Sequence, residues 1–156
     1  MNRKYVLLLT FLGYLFPALV FGQENAMAGR WKTIDDKTGK EKSIVLIWID
    51  ESGNLNGKIE KLFRNPDEDQ NPVCDKCSGT NKNAPMSGMQ ILWGFTPNHK
   101  KNNNVWNSGN ILDPKTGVIY NCNLAINDSG DRLEVRGYMG ISLIGRTQTW
   151  VRIVDK

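Results

Sequence analysis

Two cysteines three positions apart are the residues whose spacing most suggests chemistry. Cys74 and Cys77 stand in the segment Cys-Asp-Lys-Cys. Such a pair can form a structural disulfide, supply two ligands to zinc, or act in thiol–disulfide exchange. A redox pair is expected after a strand and at the start of a helix, whereas here Pro72 precedes the pair and Gly79 follows it. We therefore predict a Cys74–Cys77 disulfide, with metal binding and redox chemistry as the alternatives.

Metal ligands are scarce elsewhere in the chain. A zinc site would need two further ligands, and only Cys122 and His99 are obvious soft donors. The acidic stretch 67–71 resembles the start of a calcium loop, but Pro72 stands where that loop needs glycine and Ser78 where it needs glutamate. The sequence predicts no metal and no cofactor. The alternation around Cys122 predicts a buried, reduced thiol.

The sequence contains few residues that could form a catalytic site. His99 is the only histidine, and the chain has no nucleophile elbow, phosphate loop or dinucleotide fingerprint. The carboxylates of Asp35, Asp36 and Asp113 fall in turns, where capping of backbone amides explains them. We therefore expect no catalytic residues and no enzymatic activity.

Tryptophan and arginine residues recur at both ends of the chain. An arginine can stack on an indole ring and also bind backbone carbonyls with its planar fork. We predict that Trp31, Trp150 and Arg152 close one end of the fold. The alternative is that Arg136 or Arg146 points into a cavity and pairs with an anionic head group. The predicted ligand-binding residues are Trp48, Tyr120, Arg136 and Arg146.

The elements that must position these residues are short strands. Apolar and polar residues alternate with period two along 118–127, and no long segment has the 3.6-residue period of a helix. Turn signals such as Asp-x-x-Gly separate the strands. The strands are predicted near 28–35, 42–50, 55–63, 88–95, 105–112, 118–127, 131–139 and 145–153.

This pattern predicts an all-β fold, an eight-stranded antiparallel up-and-down barrel. Closure removes exposed edges, and eight strands leave an interior able to hold one small ligand. Two polar connections, 64–87 and 96–104, would form the mouth of the barrel if both lie at one end. The strand 43–49 is apolar on both faces, so its inner face could line a cavity or its outer face could be covered.

The first 22 residues resemble a cleavable export signal. A basic start, Arg3 and Lys4, precedes an apolar stretch that Pro17 interrupts and that is short for a membrane span. We predict cleavage after Gly22, a single barrel domain over 23–156, and a periplasmic or secreted protein without a membrane span. Cleavage would reduce the 20 basic residues to 18, against 16 acidic ones. So small and dispersed an excess does not suggest nucleic-acid binding.

Several segments together resemble the exported bacterial family catalogued as domain of unknown function 2147. The resemblance covers residues 28–153 and implies no catalytic residues. At a coarser level, glycine and tryptophan on the first strand, with arginine near the end, are similar to lipocalins and fatty-acid-binding proteins, which implies a Trp and an Arg at the closed end. The segments are Gly29-x-Trp31, 35–39, 57–59, Cys74-x-x-Cys77, 109–114, Tyr120, 133–138 and 145–152.

Two functions are consistent with these features. The first is binding of a small apolar or amphipathic molecule in the barrel. The second is a protein-interaction or envelope-stress module with a packed barrel, which would use its loops or an outer aromatic face such as Trp93, Trp106 or Trp150. The ligand, the protein partner and the oligomeric state do not follow from the sequence.

Overall fold

The computed structural model describes residues 26–98 and 104–154. These residues form a closed barrel in which each strand pairs antiparallel with the next and β1 pairs with β8. One short 3-10 helix, Gly79–Asn81, lies between β3 and β4. The strands are β1 Gly29–Ile34, β2 Glu41–Ile49, β3 Leu55–Leu62, β4 Gln90–Pro97, β5 Val105–Asp113, β6 Val118–Ile126, β7 Arg132–Tyr138 and β8 Gly145–Arg152.

The predicted all-β, eight-stranded up-and-down barrel is confirmed. Each strand begins and ends within two residues of its predicted bounds. The predicted export signal over 1–22 and the histidine at position 99 lie outside the described residues. Within 26–98 and 104–154, no helix is long and apolar enough to cross a bilayer.

Side-chain capping explains why the hairpin turns form. The Asp35 carboxylate accepts hydrogen bonds from the amides of Lys37 and Thr38, at 3.1 and 3.0 Å. Asp50 accepts in the same way from Ser52 and Asn54. These bonds satisfy amides that the strand ladder leaves unpaired, and so they fix where each strand reverses.

The barrel has two ends, which we call the base and the mouth. The base holds residues 26–28, the β2–β3 and β6–β7 turns, the end of β4 and the start of β5. The mouth holds the turns 35–40 and 114–117, the long β3–β4 connection 63–89, and the loop 139–144. The condition for a mouth formed by both polar connections is not met, because β3–β4 and β4–β5 are successive connections, and these alternate between the two ends of an up-and-down barrel.

The disulfide segment of the long connection 63–89 packs against the β5–β6 turn at the mouth. The predicted Cys74–Cys77 disulfide is confirmed, and both cysteines are buried. The Sγ of Cys74 lies 3.0 Å from the carbonyl oxygen of Pro114 in the β5–β6 turn. In the same turn Gly117 has a φ of 72°, and a Cβ there would lie 2.1 Å from the carbonyl oxygen of Lys76. Only glycine therefore allows the Cys-x-x-Cys segment to press on this turn.

The barrel closes asymmetrically between β1 and β8. Their register contains two residue pairs, Trp31 with Arg152 and Lys32 with Val151, both toward the base. Nearer the mouth, no pairing joins the described residues of β8 to β1. There Arg146 reaches across to Asp36 in the β1–β2 turn, with its Nε 2.8 Å from the Asp36 carboxylate. Backbone pairing thus closes the base, and an exposed ion pair closes the mouth.

Candidate functional site

Arg152 and Trp31 form the centre of the base. The guanidinium lies 4.2 Å from the centroid of the Trp31 ring. It also donates to three backbone carbonyls: Gly130 at 2.6 Å, Ala28 at 3.0 Å and Ala26. Burial lowers the pKa of Arg152 from its usual value, but arginine stays protonated in proteins, and the carbonyls and the ring replace the lost water.

The Gly-x-Trp motif has a physical explanation at this end. Gly29 has a φ of 129°, and a Cβ on it would lie 2.7 Å from Nη1 of Arg152. The missing side chain therefore leaves room for the guanidinium to cross the barrel floor. The indole N–H of Trp31 donates to the carbonyl of Met27 at 3.0 Å, and the ring is fully buried. The polar groups at the centre of the base are thus engaged within the chain.

The inward-facing side chains become more exposed to solvent toward the mouth. Along β8, the inward-facing residues are Trp150, Gln148 and Arg146. The tryptophan is buried, the glutamine is half-buried and the arginine side chain is 61% exposed. On β6 the inward-facing Cys122 is buried, whereas Tyr120 is half-buried. Solvent therefore reaches the inner wall of the barrel on β6–β8, in its mouth half only.

Glycines on the inner wall show how tightly each part of the wall is packed. A Cβ on Gly109 would lie 2.3 Å from the Phe95 ring, and one on Gly57 would lie 2.8 Å from Leu92. Large side chains already occupy the space at both positions. At Gly137 the nearest atoms, on Ile111 and Tyr120, lie 3.7 Å from such a Cβ, which is ordinary van der Waals contact. A methyl group would therefore fit beside Gly137 without displacing its neighbours, unlike at Gly57 or Gly109.

We call this region the mouth site. It is the part of the inner wall formed by half-buried or exposed inward-facing residues of β5–β8. The opposite wall is drier, since Thr33 and Ser43 are buried there and share a hydrogen bond of 2.8 Å. The mouth site is thus apolar along one side and carries phenol, amide and guanidinium groups. Its residues are Ile111, Val118, Tyr120, Gly137, Arg146 and Gln148.

Two of the four predicted ligand-binding residues do not face the interior. Trp48 alternates with the buried Val45 and Ile47 and lies on the outer face, where the Nζ of Lys58 is 5.9 Å from its ring centroid. Arg136 alternates with the buried Leu133 and Val135, which places it outside as well. Strand parity therefore excludes both from the inner wall, whereas it places Tyr120 and Arg146 there.

Two of the three tryptophans that the sequence suggested for an outer aromatic face do not lie on the outer surface. Trp106 and Trp150 are buried inside the barrel, because they pair with the inward-facing Leu124 and Leu133. Trp93 is partly buried against the core. The indole N–H of Trp106 is buried and has no hydrogen-bond partner among the described residues. Buried donors are nearly always bonded, so an acceptor such as water is expected beside it.

Thiol chemistry is not supported by the positions of the cysteines. Cys122 is free and fully buried, and burial raises the pKa of its thiol to about 12. A thiol with that pKa is almost entirely protonated at neutral pH and reacts poorly. The Cys74–Cys77 disulfide is buried too. Within 26–98 and 104–154, no three His, Cys, Asp or Glu residues are grouped as a metal site.

A pocket of about 390 Å³ lies on the outer face of the barrel, lined by Arg30, Ile44, Glu60, Lys61 and Ile153. Arg30 donates to Glu60 with two bonds of 2.8 and 3.0 Å, so these charges already satisfy each other. The pocket is open to solvent and lies on the other side of the β-sheet from the mouth site. We do not assign a function to it.

Sequence reasoning missed an exposed apolar loop at the mouth. We call residues 139–144, Met-Gly-Ile-Ser-Leu-Ile, the apolar loop. Its four large apolar side chains are between 61% and 86% exposed. The sequence signal was an apolar run where a hairpin turn needs polar residues or glycine.

The fold and the mouth site define a closed, lipocalin-like β-barrel. The chain matches the family described as "Uncharacterized protein conserved in bacteria (DUF2147)" over residues 29–152, and it belongs to that family. A solved structure with a similar fold is protein HP1028 from the human pathogen Helicobacter pylori, which is described as belonging to the lipocalin family. The two sequences are 21% identical, and the structural alignment covers 82% of this chain and 83% of HP1028 with a TM-score of 0.66. No curated protein matches the chain.

Proposed function

We propose that the protein binds one small amphipathic molecule in the mouth site. The observation that carries this proposal is the gradient of exposure along the inner wall. In β8 it runs from the buried Trp150 through the half-buried Gln148 to the exposed Arg146. An inner wall that is dry at one end and wet at the other is what a barrel needs to admit a ligand partway.

The residues of the mouth site divide by chemistry. Ile111, Val118 and the uncrowded wall at Gly137 suit the apolar part of a ligand. Tyr120, Gln148 and Arg146 offer donors and acceptors for a polar head nearer the rim. Because Arg146 already pairs with Asp36, a head group must compete with that carboxylate or share the guanidinium with it. An anionic or hydrogen-bonding head group fits this arrangement best.

This function needs no catalytic step. The mouth site holds no nucleophile paired with a base, and the one free thiol of the described residues is buried below it. We propose a non-enzymatic binding protein that acts after export, in the periplasm or outside the cell. Support for that location comes from the sequence of residues 1–22, and a test is Edman sequencing of the exported protein, which should begin at Gln23.

A larger side chain at position 137, on the inner wall of the mouth site, tests the proposal. We expect wild type and Gly137→Ala to bind dodecanoate with one molecule per chain, as counted by native mass spectrometry. Gly137→Leu should lose binding by at least about tenfold, because a leucine buries its side chain where the probe would lie. Urea unfolding of all three proteins checks that the barrel is intact. Equal binding by Gly137→Leu and wild type would refute the mouth site.

The charge of the head group is tested with two further probes. Dodecylamine and dodecanol have the same chain length but a cationic and a neutral head. We expect dodecanoate to bind best and to lose its advantage over dodecanol in Arg146→Gln. A preference for dodecylamine would contradict the proposed role of the guanidinium.

The second candidate is an interaction or envelope-stress module with a packed barrel. The packing of the base favours it, because Trp31, Trp106 and Trp150 fill the interior there. It predicts that none of the three probes binds and that cross-linking in cells traps a protein partner. Native mass spectrometry of the protein isolated from its own compartment separates the two candidates, since only the first predicts a bound small molecule.

A further inference from the structure

The apolar loop at 139–144 presents its side chains to solvent. Met139, Ile141, Leu143 and Ile144 are each more than 60% exposed. Isolated exposed apolar residues are common on protein surfaces, but four in a six-residue segment form a patch that marks a binding surface. The patch continues onto the barrel wall. Ile119 is 52% exposed and lies two positions beyond the Asn121–Tyr138 pair, at the register position next to the loop.

Arg136 holds the loop in this shape. Its Nε and Nη2 donate to the carbonyl of Ser142 at 3.0 and 2.7 Å, and Nη2 also reaches the carbonyl of Leu143 at 3.4 Å. Its Nη1 donates to the hydroxyl of Thr147 at 2.9 Å. The guanidinium thus satisfies loop carbonyls, so that the apolar side chains project away from the barrel. Pre-organisation of this kind lowers the entropic cost of binding.

The strands that carry the loop each bring an arginine close to it, Arg136 on β7 and Arg146 on β8. Arg146 is paired with the Asp36 carboxylate, whereas Arg136 donates to neutral carbonyl and hydroxyl groups and so keeps its positive charge beside the loop. Arginines beside an apolar tip place their charge at the depth of lipid head groups while the tip enters the acyl region. This arrangement is complementary to a membrane surface that carries anionic lipids.

A second copy of the chain offers a poorer partner. The pocket on the outer face carries Arg30, Glu60 and Lys61 on its lining, so four apolar side chains do not suit it. A projecting tip needs either a deep apolar cleft or a fluid apolar phase to cover all its sides. Lipid supplies the second without a matching shape.

We propose that the apolar loop inserts into the surface of a bilayer containing anionic lipids, with Arg136 at the level of the head groups. This inference goes beyond the mouth site and does not rest on it. The loop lies at the mouth of the barrel, so docking would bring the mouth site against the membrane.

Vesicle flotation of the exported protein tests the proposal. Wild type should float with vesicles of phosphatidylglycerol and phosphatidylcholine at about 1:3, and less with pure phosphatidylcholine. The fourfold variant Met139→Ser, Ile141→Ser, Leu143→Ser, Ile144→Ser should bind at least about tenfold more weakly. The matched control is Val154→Ser, which removes a 76% exposed apolar side chain near the base and should bind like wild type.

A dye placed on the loop reports insertion directly. Leu143→Cys can be labelled with a nitrobenzoxadiazole dye, because Cys122 is buried and the other two cysteines are joined. Its emission should shift to the blue with anionic vesicles, and dye on Val154→Cys should not shift. Raising sodium chloride from about 0.05 M to about 0.5 M should weaken binding through screening.

Three results would overturn the proposal. The first is wild-type binding by the fourfold variant, and the second is failure of wild type to bind either vesicle. The third is a wild-type dimer in sedimentation that the fourfold variant abolishes, without vesicle binding. Dodecanoate binding in solution should persist in the fourfold variant, so a failure of membrane docking can be told apart from a failure of the mouth site.

Discussion

The base and the mouth of this barrel use the same residue types in different ways. At the base, Arg152 lies over Trp31, and its donors are taken by backbone carbonyls. At the mouth, Arg146 also faces inward from β8, but it is exposed and pairs with the surface carboxylate of Asp36. An arginine whose partners are all fixed by the fold contributes to stability, whereas one held at a wet rim can exchange its partner for a ligand.

The largest effect should follow from damage to the base. Trp31→Ala removes a fully buried indole, and we expect the free energy of unfolding to fall by about 3–5 kcal/mol. Urea unfolding followed by circular dichroism measures this loss. Trp31→Phe is the control, and it should lose clearly less because part of the volume is kept. A loss below about 1 kcal/mol for Trp31→Ala would show that the base is not the packed half.

The two halves can be compared directly with one substitution at two glycines. Gly109→Ala forces a Cβ against the Phe95 ring and should cost about 1–3 kcal/mol of unfolding free energy. Gly137→Ala meets only ordinary contacts and should change stability by less than about 0.5 kcal/mol. Chemical denaturation of both variants gives the comparison. Equal losses at the two positions would contradict the looser packing at Gly137.

Removal of the ion pair at the mouth should matter little for stability. Arg146→Gln breaks the pair with Asp36, which is exposed, so we expect a loss of at most about 1 kcal/mol. The same variant should weaken dodecanoate binding measurably. If stability falls by several kcal/mol instead, Arg146 closes the fold as Arg152 does, and the contrast between the two ends disappears.

Acid should weaken the turns at both ends. Hydrogen bonds hold three carboxyl pKa values below the ordinary 3.8: chiefly from the Thr38 amide to Asp35, from the Asn54 amide to Asp50, and from the Ser129 hydroxyl to Asp131. A lowered folded-state pKa stabilises the fold above the unfolded value, and this contribution is lost as the pH falls through the folded value. Stability should therefore decline below about pH 4.

One variant isolates this effect. Asp50→Asn keeps an acceptor in the turn but removes the charge, so its urea midpoint should fall less steeply below about pH 4 than that of wild type. Glu51→Gln removes a charge from the same turn and serves as the control. An unchanged acid slope for Asp50→Asn would show that the lowered pKa of Asp50 does not contribute.

Strand order was predictable because the signals are local. Turn residues such as Asp35 and Gly39 close hairpins by bonds within a few residues, and alternation marks the strands between them. The alternation along β7 could also have excluded Arg136 from the inner wall, since it falls on the opposite face from the apolar Leu133 and Val135. Trp48 carried no such signal, because Ile47 and Ile49 on either side are apolar.

The state of the interior could not be predicted in the same way. Gly109 and Gly137 look equivalent in the sequence, as each is a glycine on an inward-facing position of a strand. They differ because the Phe95 ring, from another strand, would lie 2.3 Å from a Cβ at the first, whereas the nearest atoms at the second lie 3.7 Å away. Such packing depends on side chains that are distant in the sequence.

A ligand in the mouth site should reach the Trp150–Gln148 hydrogen bond and leave the centre of the base, Arg152 and Trp31, untouched. The indole N–H signals in a ¹H–¹⁵N spectrum test it during titration with dodecanoate. The Trp150 indole donates to Gln148 in the mouth site at 3.3 Å, and the Trp31 indole donates to Met27 at the base at 3.0 Å. We predict that the Trp150 signal shifts and the Trp31 signal stays. A shift of the Trp31 signal, or an unchanged Trp150 signal at saturating dodecanoate, would contradict binding in the mouth site.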